Sequence, residues 1–149
     1  MRNPEIIEKA VGQVLQNGRL QSVVLDGKLV DKINVTFLQF DNWIRVVTTD
    51  EMTNLSEEKS VEVRPVDENE DFNLTIELVE NHFPEFKKFI GKKLIDFKEI
   101  VQSEAEAMSF GLNLYFEDDL NFIIYNHDYP VDKNEYFFEN SVPAGMKEK

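Results

Sequence analysis

A chain of 149 residues with 42% hydrophobic content and 12 phenylalanines can bury a core in one domain, and its composition is not that of a disordered segment. It has no cysteine, which excludes disulfides, thiolate metal sites and cysteine nucleophiles. Its net charge of -13 disfavours nucleic acid and anionic lipid as partners and favours basic proteins.

Asn3 and Pro4 have the form of a helix N-cap and first helical position. Ile7, Val11, Val14 and Leu15 then recur at helical spacing, and Gly18 fits a stop, so a helix is expected from Pro4 to about Asn17. Asp26-Gly27 between apolar runs predicts a hairpin joining Leu20–Leu25 to Lys28–Ile33. Asp41-Asn42 predicts a second, joining Val35–Phe40 to Trp43–Thr48. Ser60–Arg64 alternates as an edge strand ahead of Pro65, and residues 67–71 read as an acidic loop. Leu74–Glu80 predicts a strand, and Phe83–Ile90 a short second helix ended by Gly91. Leu94–Val101, Leu112–Phe116, Leu120–Tyr125 and Glu135–Glu139 complete the expected strands. The longest apolar run, Phe122-Ile123-Ile124-Tyr125, is far short of the about 20 residues of a membrane helix. The N-terminus lacks the apolar stretch of a secretion signal, so the expected location is the cytoplasm. The expectation is one α+β domain over residues 1–140, mainly antiparallel sheet with an N-terminal helix and a short second helix packed on it, and a flexible tail over residues 141–149.

Two regions resemble one another. Gly27-Lys28-Leu29-Val30-Asp31 is similar to Gly91-Lys92-Lys93-Leu94-Ile95-Asp96, and each precedes an aromatic strand closing on Phe plus an acid, Phe40-Asp41 and Phe116-Glu117. A duplication predicts two similar meanders; shared turn chemistry produces the same pattern without one.

Charge is uneven. Residues 1–66 carry ten acids and eight Lys or Arg; residues 99–140 carry ten acids and Lys133 alone. The lysines Lys87, Lys88, Lys92, Lys93 and Lys98 precede that acidic stretch and read as a solvated helix end. Glu117, Asp118 and Asp119 fit a turn between strands, with His127 and Asp128 just past the second strand. A metal reading would recruit His127, Asp128 and Asp132, with Asp118 or Asp119. Their spacing matches no zinc or calcium signature, and His82 is 45 positions away. An enzyme reading would pair a serine with His82 or His127, but no nucleophile elbow, phosphate loop or dinucleotide fingerprint is present. No cofactor is expected. Trp43, the single tryptophan, is either core or an interface anchor. Of the neighbours Phe137 and Phe138, one should face outward, where it could serve a homodimer or partner surface.

In size, acidity, lack of cysteine and strand-plus-turn style, the chain resembles the small α+β proteins that bacteria encode near toxin genes as immunity proteins, or carry as uncharacterised families. No motif carries the likeness, and no functional residue transfers from it. It implies an acidic, aromatic-bearing surface buried against a basic toxin. The leading expectation is therefore a non-catalytic binding domain using Glu117, Asp118, Asp119, His127, Asp128, Asp132 and Trp43. The alternatives are a small hydrolase-like or metal-dependent enzyme around His127 and a structural homo-oligomer.

Overall fold

The structure, a computed structural model, describes residues 1–149. Its helices are few and short, and ten strands form two five-stranded antiparallel sheets. The first sheet contains β1 (Asn17–Leu25), β2 (Lys28–Gln39), β3 (Trp43–Thr49), β4 (Met52–Glu58) and β5 (Phe72–Leu78). The second contains β6 (Leu94–Gln102), β7 (Ala105–Phe116), β8 (Leu120–His127), β9 (Lys133–Phe137) and β10 (Met146–Glu148). The strand orders are β4-β3-β2-β1-β5 and β10-β6-β7-β8-β9. In each sheet four consecutive strands form a meander, and the fifth crosses back to lie beside the first. No helix is long and apolar enough to cross a membrane.

Alternation places the inward side chains. Leu20, Leu38, Ile44 and Leu55 of the first sheet meet Leu94, Leu112, Leu114 and Phe122 of the second in one core. Phe40 stacks on Phe116 there, with ring centroids 6.4 Å apart. Helix α1 (Glu5–Ala10) adds Ile7 and Ala10, and α2 (Val79–His82) adds Val79. A 3-10 turn at Pro84–Lys88 follows and supplies Phe86, with Phe89 just beyond. Burying these large aliphatic and aromatic side chains contributes about 1.5–3 kcal/mol each, which makes this shared core the main stabilising feature.

Several expectations change. Helix α1 stops at Ala10, because Val11 is extended and Gly12 takes φ 91°. Residues 12–16 then run extended beside residues 91–94. Gly12 N–H donates to Leu94 O (2.7 Å) and Gly91 N–H to Leu15 O (2.8 Å), on either side of the Val14–Lys93 pair. β2 is one long strand with an irregularity opposite Val23, in place of two shorter ones. Residues 52–58, unassigned from sequence, form edge strand β4. Ser60–Arg64 is no sheet strand. It crosses the outer face of the first sheet, where Val61 joins an apolar cluster with Val35, Phe37, Trp43 and Ile76, and its one backbone pairing with β5 is Arg64–Ile76. Residues 146–148, expected in a loose tail, pair with β6 as β10. Gly27 opens the second strand of its sheet, whereas Gly91 precedes the first strand of the other. Phe40 and Phe116 do occupy matching places, each just past or at the end of a second strand.

Candidate functional site

Glu117–Asp119 form the 3-10 turn between β7 and β8, with Asp118 and Asp119 at φ 62° and 58°. Short polar residues tolerate this left-handed region better than apolar ones do. The turn is tied down: Lys93 N–H donates to Glu117 Oε1 at 2.6 Å, and Lys92 pairs with Asp118. That hydrogen bond and charge raise the Lys92 ammonium above its usual pKa.

His127 lies at the other end of β8, and eight residues of strand separate the two acidic groups by about 25 Å. There His127 Nε2 bonds Glu135 Oε1 at 2.9 Å, while its ring packs edge-on against Tyr125. Asp128 accepts the Tyr129 N–H at 2.7 Å. Asp132 lines a polar hollow of about 270 Å³ with Asp31, Asn34, Arg45, Asn126 and Asn134. The residues singled out in the sequence therefore lie at two opposite ends of one strand. His82 pairs with Glu77, so each histidine meets a single glutamate and the two do not meet each other. No three His, Asp or Glu side chains stand close enough to hold a metal ion. Trp43 is 7% exposed, in one apolar cluster with Val61, and the Arg19 guanidinium lies over its ring, 5.4 Å from the centroid. Phe137 faces the outer side of the second sheet beside Tyr125, and Phe138 packs against the core.

Three of the ten acids of residues 99–140 pair with a cation: Glu99, Glu106 and Asp118. Glu99 is buried against the Met1 amino group at 2.7 Å. Glu106 pairs with Lys147 at 2.6 Å, and this contact holds its carboxyl below the usual range.

A less compensated acidic group lies on the first sheet. Asp26, Asp67, Glu68, Glu70 and Asp71 line a hollow of about 390 Å³, and no Lys or Arg lines it. The β1–β2 turn supplies Asp26 and the crossing segment supplies the rest. Asp26 N–H donates to Asp71 O at 2.7 Å. Asn73 fixes the loop from within: its amide donates to Asp67 O and Glu70 O, and its Oδ1 accepts the Asp67 N–H. Beside the hollow, Leu25 and Phe72 are register partners and are 45% and 57% exposed. The sequence marks residues 67–71 as an acidic loop but gives no sign that Asp26 and Leu25, over 40 positions earlier, adjoin it.

The outer face of the second sheet carries a polar cluster that the sequence did not announce. Buried Asn113 donates to Asn140 Oδ1 (2.9 Å) and Glu148 Oε1 (2.6 Å), and accepts from Asn121 (3.1 Å). The Tyr115 hydroxyl donates to the same Glu148 oxygen. Burial first, and that carboxylate second, push the Tyr115 phenol up to about 12. The cluster fastens the C-terminal strand, and Tyr115, Asn121 and Asn140 also line a hollow of about 440 Å³ together with Glu117, Asp118 and Asp119.

No protein-family model, curated protein or solved structure matches the chain.

Proposed function

We propose that the chain is a non-catalytic binding domain for a basic protein, of which an immunity or inhibitor protein is the concrete form. One observation carries this reading: the acidic hollow of Asp26 and residues 67–71 lies open beside the exposed pair Leu25 and Phe72. Carboxylates of this kind speed encounter with a basic partner, and an aromatic–aliphatic pair supplies affinity on contact. Asp119, Asp128 and Asp132 extend the same sign of charge over the second sheet. The acids are spread along strand ends and turns, an arrangement suited to recognition and unlike a reaction centre.

The reading includes an internal duplication. Its support is that each sheet follows a helical segment and has one strand order counted from its own first strand. With Gly12 matched to Gly91, Pro4-Glu5 falls within one position of Pro84-Glu85. The bonds from Gly12 to Leu94 and from Gly91 to Leu15 are reciprocal under that match.

The test is capture of basic proteins from lysate at low salt by the wild-type chain and two variants. One variant combines Asp67→Asn, Glu68→Gln, Glu70→Gln and Asp71→Asn; the other is Phe72→Ala. A partner held by the wild type should be lost by the first variant and held about tenfold more weakly by the second. Its binding should also fall steeply between low and moderate salt. Equal capture by all three chains would rule out this surface.

A further inference from the structure

Sixteen Lys and Arg residues face 29 acids in this chain, yet no arginine has an acidic partner within 4.0 Å. Every ion pair uses a lysine, a histidine or the terminal amino group. Two of the four arginines, Arg45 and Arg64, line one hollow of about 460 Å³ between residues 60–65 and the outer face of the first sheet. Phe37, Val61 and Ile76 supply its apolar side, and Glu58 and Glu62 also line it.

We propose that this hollow binds a small zwitterion, a free α-amino acid with an apolar side chain. The volume lies within the roughly 300–1,000 Å³ usual for small-ligand sites. A guanidinium is a planar fork of donors that matches a carboxylate in two parallel hydrogen bonds. Arg45 is held mid-strand on β3, opposite the uncharged Phe37 and Ser56. Arg64 is fixed by two backbone bonds to Ile76, at 2.8 and 2.9 Å. Both residues are therefore anchored through their backbone before any ligand arrives, which leaves only their side chains to be ordered on binding.

Net charge selects among anions. A protein at -13 repels a free anion, and Glu58 and Glu62 would repel it again at the site. A ligand with one carboxylate and one ammonium carries no net charge and satisfies both sets of side chains. Its side chain then covers Phe37 and Ile76. This inference does not depend on the basic-protein reading, which uses a different surface.

The experiment titrates the full chain with L-leucine, L-isoleucine, L-valine, L-methionine and L-phenylalanine by calorimetry. The controls are N-acetyl-L-leucine, which lacks the ammonium, and L-leucinamide, which lacks the carboxylate. At least one amino acid should saturate below about 10 mM, and the capped form of leucine should bind about tenfold more weakly than leucine itself. Arg45→Gln and Arg64→Gln should each weaken binding about tenfold. Arg64 is exposed, so its variant keeps the fold even if Arg45→Gln does not. Glu62→Gln should narrow the gap between leucine and N-acetyl-leucine. No saturation by any of the five, binding unchanged in Arg64→Gln, or equal binding of the capped forms would each overturn the proposal.

Discussion

Gly111 shows how tightly single residues are constrained. Its φ is 145°, and a Cβ built there would lie 1.9 Å from the carbonyl oxygen of Ile124 on the adjoining strand. Neither fault can be relieved by a rotamer change, because the obstacle is backbone. Gly111→Ala is expected to cost roughly 3 kcal/mol or more, read as a lower urea midpoint at unchanged slope. Tyrosines make the second prediction at this scale. Burial raises the phenols of Tyr115, Tyr125 and Tyr136 above their ordinary value, and Tyr136 is fully buried with its hydroxyl 2.7 Å from Thr36 Oγ1. A raised folded pKa means that the native state keeps its protons after the unfolded chain has begun to lose them. Their stabilising contribution is whole below about pH 10 and is lost as pH rises through the folded values. For Tyr115 that loss extends to about pH 12. Thermal midpoints should therefore stay level with respect to these groups up to about pH 9.5 and then fall. Tyr136→Phe should lower the starting stability by about 1–2 kcal/mol, through the lost Thr36 bond, and make the alkaline fall shallower.

At the scale of elements, the crossing segments close faces that a bare sheet would leave open. Val61 is the residue by which residues 59–66 join the apolar cluster that holds Trp43. Val61→Glu would set a carboxylate against that indole, at an expected cost of about 1–3 kcal/mol. Because Trp43 is the only tryptophan, its fluorescence reports the change directly. Emission should shift to longer wavelength, whereas an unshifted spectrum would show that other groups seal the ring. These crossing segments also mark the limit of what could be read from sequence. The hairpins at Asp26-Gly27, Asp41-Asn42 and Glu117–Asp119 were legible, because turn chemistry is local. So were β5, β6 and β8, through their apolar patterns. β4 was not, since only Thr53 and Leu55 of Met52–Glu58 are buried and its other positions, Met52 apart, are polar. Ser60–Arg64 imitates a strand, because Val61 and Val63 alternate as strand residues do, although the segment lies over the sheet. Val14 and Leu15 keep the helical period, although residues 12–15 pair with residues 91–94, so the periodicity overstates the helix. The candidate site fared similarly. Acidic residues 67–71 were visible as a loop, but the hollow exists only because β1 and β5 bring Asp26 and Leu25 beside it. Arg45 and Arg64 gave no signal, because their shared hollow depends on the path of the crossing segment.

For the whole molecule, the important feature is the short ladder between residues 12–15 and 91–94. Four amides cross it, Gly12 and Leu15 from one segment and Gly91 and Leu94 from the other, at 2.7 to 2.9 Å. In deuterated solvent none of them can trade its proton while the two sheets remain together. All four should share a single slow rate, matched to that of deep amides such as Leu114, while the edge of β4 exchanges sooner. Four different rates would mean that the sheets part by local fraying and that the protein opens in stages.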